Sequence, residues 1–345
     1  VTYSDNQDPY DRCFTQAARD WDLERLYPDL ADIEGRPELR PFDKAALRGL
    51  LLVCGPTAIA ACIGWTPRAV SVELSKRLYR FIEQLTGHEE NSIKYQLVHE
   101  WLRKAGYMLP KPPFGDTGRI TDPDRFFDRE ELLRQIFEAL HQGSSISLVG
   151  ESQIGKSSIL SMICQLGPER LQLPLDRFID LDMQYIRNEG DFFEALCCEL
   201  ALDETYRGYR LLRALAGRSY ILCLDEIERM INQEAFTNDL RTELRGLADG
   251  ADSRFTLVIA SRSSLDELFP DSPLQTSPLS GICRQLDVLP FSEEDTREFL
   301  TQRLAGTDVS FTDQEMTDLF AQTNGHPGYL QRSADILWRH RGESS

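Results

Sequence analysis

G-E-S-Q-I-G-K-S-S, residues 150–158, fits the pattern G-x-x-x-x-G-K-[ST], with Gly150, Gly155, Lys156 and Ser157 at the required positions. A loop of this kind opening onto a helix turns successive backbone N–H groups inward, where they can cradle the oxygens of two phosphates. Gly155 lets the backbone come close, Lys156 reaches the terminal phosphates, and the Ser157 hydroxyl joins a Mg²⁺ shell. Glu151, Ser152, Gln153, Ile154 and Ser158 complete the set of candidate nucleotide contacts. The flanks agree. S-I-S-L-V, residues 145–149, reads as a short buried strand, and S-S-I-L-S-M-I-C-Q-L after the loop reads as an apolar helix start.

Downstream, further features follow in a fixed order. Residues 176–184, D-R-F-I-D-L-D-M-Q, read as a strand, followed by a helix through Phe192, Phe193, Leu196 and Leu200. In Y-I-L-C-L-D-E an apolar run leads into Asp225 and Glu226, about 70 residues past the loop. A buried strand ending in a carboxylate can hold Mg²⁺ through water, and the adjacent Glu226 can polarise an attacking water. F-T-L-V-I-A-S-R-S, residues 255–263, is another buried strand. Ligands of parallel sheets bind beyond the carboxyl ends of the strands, so Ser261 and Arg262 are expected near the terminal phosphate. A solvated loop arginine is the plainer reading of Arg262. Gly325, His326 and Pro327 stand at a helix start, which an ordinary helix boundary would also explain.

At 345 residues the chain has room for two or three domains, and 41% hydrophobic with 27% charged residues is ordinary for a globular protein. No apolar run reaches the roughly 18 residues needed to span a membrane. The longest, near residues 50–63, is broken by Gly55 and Pro56. No signal peptide opens the chain, so a cytoplasmic location is expected. The missing initiator Met raises the expectation of a piece of something longer. Eight cysteines are scattered without a C-x-x-C pair, as for buried free thiols in a reducing compartment. The net charge of −18 argues against a general nucleic-acid binder, although residues 41–110 carry nine basic against six acidic groups.

Residues 1–40 are acidic and weakly helical. Residues 41–110 carry an all-helical pattern: P-T-A-I-A-A-C-I-G ends at Gly64, Trp65 turns the chain, and Thr66 caps a helix with Pro67 at its first position. Two helices joined by a tight Gly-containing turn form a helix-turn-helix. The string from Pro56 to Arg80 resembles the helix-turn-helix of response regulators and sigma factors, and the helical domain fused to NTPases in bacterial signalling proteins. On that resemblance Arg68, Ser71, Val72 and Ser75 would face bases, and Lys76, Arg77 and Arg80 phosphates. Many such domains have become protein adaptors, and Glu73 with so small a basic excess favours that reading over DNA. Residues 111–124, rich in Pro, Gly and Asp, read as a linker.

From about residue 124 to 340 the chain resembles the STAND class of AAA-related ATPases. R-F-F-D-R-E-E-L-L resembles the class's entry motif, with Asp128 in place of its glycine. The resemblance implies that Phe127 and Arg129 enclose the adenine, that Arg262 is a sensor, and that Pro327 of G-H-P packs near the base. The expected fold is a three-layer α/β P-loop NTPase (125–286, a parallel sheet between helices), with an all-α helix-turn-helix domain before it and a helical lid at 287–345. The expected cofactors are ATP or ADP with Mg²⁺. Lys156, Glu226 and Arg262 are then catalytic, and Ser157 and Asp225 hold the metal. The implied role is a slow ATP-driven switch in bacterial stress or antiviral signalling, with a protein partner at the N-terminal domain, or DNA there, and nucleotide-dependent self-association. Arg241, Arg245 and Arg284 are candidate fingers toward a neighbouring subunit. Two alternatives are a DNA-handling ATPase and a scaffold that retains ADP without turnover.

Overall fold

The computed structural model describes residues 10–342 apart from 90–91, 110–111, 117, 251–252 and 271–278. The extreme termini of the expected segments, Lys111 of the linker and part of the 125–286 core therefore lie outside the described residues. In chain order the helices are α1 (Ala17–Asp20), α2 (Leu23–Glu34), α3 (Pro41–Leu51), α4 (Pro56–Ile63), α5 (Pro67–Glu73), α6 (Tyr79–Thr86) and α7 (Tyr95–Lys104). Then follow α8 (Glu130–His141), β1 (Ser145–Val149), α9 (Lys156–Leu171), β2 (Phe178–Asp182), α10 (Glu189–Glu199), α11 (Gly208–Ala214) and β3 (Tyr220–Asp225). The chain closes with α12 (Asn238–Ala248), β4 (Phe255–Ser261), α13 (Leu265–Leu268), β5 (Cys283–Asp287), α14 (Glu293–Leu304), α15 (Asp313–Thr323) and α16 (Pro327–Gly342).

Two compact units result. The first comprises Val1–Pro110 with Leu181–Ala216, the second Lys111–Asp180 with Gly217–Ser345. Sequence reading kept residues 181–216 inside the nucleotide core; by contacts they group with the N-terminal helices.

In the first unit local chemistry sets the turn between α4 and α5. Gly64 adopts the left-handed conformation (φ 75°) that ends α4. Thr66 Oγ1 accepts the Ala69 N–H at 3.3 Å, with Pro67 opening α5. A five-residue π-helical stretch, Leu74–Leu78, joins α5 to α6. Val70, Leu74, Leu78 and Ile82 are completely buried in one core with Leu26, Leu47 and Leu50. Both α4 and α5 also pack on α10, and the Ser71 hydroxyl bonds Cys198. Arg77 is ion-paired with Glu34. Arg68, Ser75, Lys76 and Arg80 are exposed. The residues expected to line a DNA surface are therefore split: Ser71 and Arg77 serve the unit's own packing, while Arg68, Val72, Ser75, Lys76 and Arg80 face solvent.

The second unit holds a five-stranded sheet in the order β2-β3-β4-β1-β5, flanked by helices. Strands buried on both faces read as continuous apolar runs, and all six residues of β3 are buried. Register does the important work. Parallel pairing sets Val149 of β1 beside Ser261 of β4, and Leu224 of β3 beside Ile259. The ends of β1, β3 and β4 therefore finish within a residue of one another at one edge, with β1 and β3 about 10 Å apart across β4.

The stretch read as a linker is bonded into this unit at several points. Phe114 is buried in the lid core, the Ile120 N–H donates to Ser158 Oγ at 2.8 Å, and Gln165 donates to the Thr121 carbonyl at 2.9 Å.

Gly167 lets α9 touch the sheet: a Cβ there would sit 2.2 Å from the ring of fully buried Phe178. Gly167→Ala is therefore expected to destabilise the protein by about 1–3 kcal/mol through overpacking, outweighing a helix-propensity gain of at most about 1 kcal/mol. A thermal melt reads this as a Tm lowered by several degrees; an unchanged or raised Tm would contradict the close packing.

Candidate nucleotide site

The phosphate loop leaves β1 at Gly150, whose N–H donates to the Ser261 carbonyl at 3.2 Å. A Cβ at Gly150 would meet the Val288 carbonyl at 2.8 Å, so only glycine fits. Gln153 and Gly155 take positive φ (63° and 107°), which curls the loop before α9 begins at Lys156. The Ile154 side chain is buried with the sheet's core and anchors the loop from below. Lys156 arches back along the loop, its Nζ 2.7 Å from the Gly150 carbonyl and 2.8 Å from that of Glu151. Ser157 is half-buried at the helix start. Ser158 points elsewhere, because its hydroxyl accepts the Ile120 N–H.

Across the sheet edge, Asp225 is buried and accepts the Glu226 N–H at 3.1 Å. Glu226 has a left-handed backbone (φ 54°), and its Oε2 lies 3.3 Å from Arg262 Nη2. Burial pulls the Lys156 pKa down, and Glu228, then Asp225 and Glu226, oppose the fall, while Arg262 adds to it. The lysine and three acids thus share one electrostatic neighbourhood. Behind it, Arg119 is ion-paired with Asp180 of β2. Burial alone would lower the Arg119 pKa, but the charges of Asp180 and Asp225 raise it above the ordinary value. Asp180 is raised by burial, with Arg119 opposing and Asp225 adding.

The lid reaches the loop directly. Buried His326 donates from Nε2 to the Ser152 carbonyl at 3.0 Å, its Nδ1 3.4 Å from the Tyr329 N–H. Arg332 bonds the Gln153 side chain. Gly328 lies so close that a Cβ would come within 2.9 Å of Gln153 Cβ. Pro327 is half-buried between these contacts. Gly325 (φ 70°) is held against the Phe291 carbonyl, 1.9 Å from where a Cβ would stand. Phe127 sits in the lid's aromatic core, edge-on to Phe291 and Phe299 at 5.6 and 5.4 Å. The Arg129 guanidinium covers the Phe291 ring at 4.8 Å. Arg241 is buried, bonded to the Met230 carbonyl at 3.0 Å, and Arg245 pairs with Asp249 at 3.4 Å.

Sequence reasoning missed Arg119, Asp180 and Glu228. Arg119 stood in an apparent linker. Glu228, two residues past the acid pair, carried no signal until the turn after β3 folded it back.

A phosphate loop after β1, a carboxylate-ended strand one place beyond β4, and an arginine after β4, on one edge of a parallel sheet, define a P-loop ATPase. The chain belongs to the family described as Novel STAND NTPase 1, which matches residues 119–344. Its first matched residue is Arg119, inside the strap bonded to α9 and β2. The Walker-type ATPase paby2304 of Pyrococcus abyssi is similar in structure at 20% identity and TM-score 0.49, over 64% of this chain and 69% of that one. Cdc6p from Pyrobaculum aerophilum is similar at 19% identity and TM-score 0.48, over 66% and 64%. The Thermotoga maritima RuvB branch migration motor is similar at 19% identity and TM-score 0.42, over 63% and 64%. No curated protein matches the chain. Among the described residues no helix is long and apolar enough to cross a membrane.

Lys156→Ala removes the ammonium bonded to the loop carbonyls of Gly150 and Glu151. It is expected to weaken ATP binding about 10- to 100-fold, the loss typical of one charge-assisted contact. Isothermal titration measures this, and unchanged affinity would contradict the assignment.

Proposed function

We propose that this ATPase works as a nucleotide-controlled switch in which the lid reports the state of the phosphate loop. The observation that carries the reading is the His326–Ser152 bond, backed by Gly328 and Arg332 on Gln153. Any shift of the loop around phosphate pulls on the first two turns of α16. A lid that contacts the loop backbone can convert occupancy into movement, because the two ligand states then differ in contact energy.

Mg²⁺·ATP suits the residues present. Gly155 supplies the positive-φ turn (107°) that leads the loop backbone into α9, and Ser157 with buried Asp225 supplies hard oxygen donors. When bound, Mg²⁺ would neutralise charge developing on the phosphates. The chain's own part is to grip the phosphates through loop amides and Lys156, hold Arg262 beside Glu226, and keep water ordered against the acids after β3.

The N-terminal unit acts as an adaptor for a protein partner in this reading. Ser71 and Arg77 are committed to contacts within the unit, which favours the adaptor over a DNA surface. Burial of Arg241 removes one candidate finger from any subunit interface.

His326→Ala deletes one lid-to-loop hydrogen bond worth about 1 kcal/mol, so ADP should leave about fivefold faster. Stopped-flow release of a fluorescent ADP checks this; an unchanged rate would remove the basis for the switch.

A further inference from the structure

We propose that a recess in the first unit, between the stretch before α1, the end of α4 and the turn after β2, is a binding site for a small aromatic carboxylate. It shares no residue with the phosphate loop, so it stands or falls apart from the switch reading.

The recess has a volume of about 310 Å³, and Phe14, Gln16, Cys62, Gln184, Tyr185 and Arg187 line it. All six belong to the first unit. At roughly 30 Å³ per water, it has room for about ten waters, or for one substituted ring in their place.

Contacts between segments distant in sequence fix its frame. Cys13 Sγ donates to the Cys62 carbonyl at 3.3 Å, tying the stretch before α1 to the end of α4. The Phe14 ring is buried against α3, where a Cβ on Gly49 would stand 3.1 Å from Phe14 Cε2. Phe14 also takes a positive φ (54°), a strained backbone for a bulky residue that persists only where its surroundings enforce it. On the opposite wall, Asp182 caps the turn after β2 by accepting the Gln184 N–H at 2.8 Å.

The polar side chains of the recess are uncommitted. The Gln16 and Gln184 amides and the Arg187 guanidinium make no hydrogen bond or ion pair among the described residues. Burial, with Cys54, Asp182 and Cys62 adding, pushes the Tyr185 hydroxyl up to about 12. The phenol therefore stays a donor at any physiological pH.

Aromatic surface with a few convergent polar groups is the composition of a small-molecule site. Phe14 and Tyr185 offer a ring apolar contact, and the two amides suit a second polar substituent. Arg187 is the single charged group lining the recess among the described residues. Its planar fork matches a carboxylate through two parallel bonds. One cation on a chain of net charge −18 suits a monoanion better than a phosphate dianion.

The test titrates 4-hydroxybenzoate into the whole chain by isothermal calorimetry. A molecule of this size should bind with a Kd of about 1 mM or tighter. Cys62, the exposed one among eight free cysteines, reports where it binds. Saturating probe should slow its alkylation by iodoacetamide at least about threefold, read by peptide mass mapping. Arg187→Gln alters an exposed side chain, so Tm should hold while the probe binds about tenfold more weakly. Arg187→Lys, which keeps the charge without the fork, should bind better than the glutamine variant. The neutral 4-hydroxybenzamide should bind wild type at least about tenfold more weakly than the carboxylate.

No saturable binding up to about 10 mM probe overturns the proposal. So does Cys62 alkylation that the probe leaves unchanged, equal affinity in Arg187→Gln, a lysine variant no better than the glutamine one, or equal affinity for the amide.

Discussion

Parallel pairing of β4 with both β1 and β3 is the constraint on which the site depends. The register sets Val149 beside Ser261 and Leu224 beside Ile259, so the phosphate loop, the acids and Arg262 emerge together. A one-residue slip would flip β4's side chains to the opposite face. The site's electrostatics follow from that alignment. Lys156 loses hydration on burial and gains the charges of three carboxylates, with Arg262 tempering them. Arg119, reaching in from the strap, pairs with Asp180 and lies within the influence of Asp225.

A second constraint is close approach. Gly150 against Val288, Gly325 against Phe291 and Gly328 against Gln153 are three places where backbone or loop leaves no room for a side chain. They tie the lid junction, the lid helix and the phosphate loop into one mechanical unit. His326 adds a directional bond to the Ser152 carbonyl. That carbonyl belongs to the loop whose amides are available to phosphate, so lid and ligand act on the same short backbone segment from different sides.

Much of this was legible in the sequence because it is local. The loop glycines, the buried strands and Asp225 obey short-range rules, as do Gly64 and Thr66 with Pro67 at the turn between α4 and α5. What was not legible depends on long-range contacts. Arg119 and Ile120 sit in a Pro- and Gly-rich stretch whose composition says linker, yet their partners Asp180 and Ser158 lie far along the chain. Phe127 matched an entry motif but packs in the lid's aromatic core, where Phe291 and Phe299 offered apolar surface. The grouping of α10 with the N-terminal helices likewise followed from tertiary contact. Its apolar Phe192, Phe193 and Leu196 pattern fits either unit.

The central claim is that a triphosphate is gripped by the main-chain amides of the loop between β1 and α9, with the lid following. Amide hydrogen exchange with and without Mg²⁺·ATP tests it most directly. The account predicts slowed exchange at residues 150–157 together with a change at the first turns of α16. Slowed exchange confined to other segments, with the loop amides untouched by saturating ATP, would contradict it.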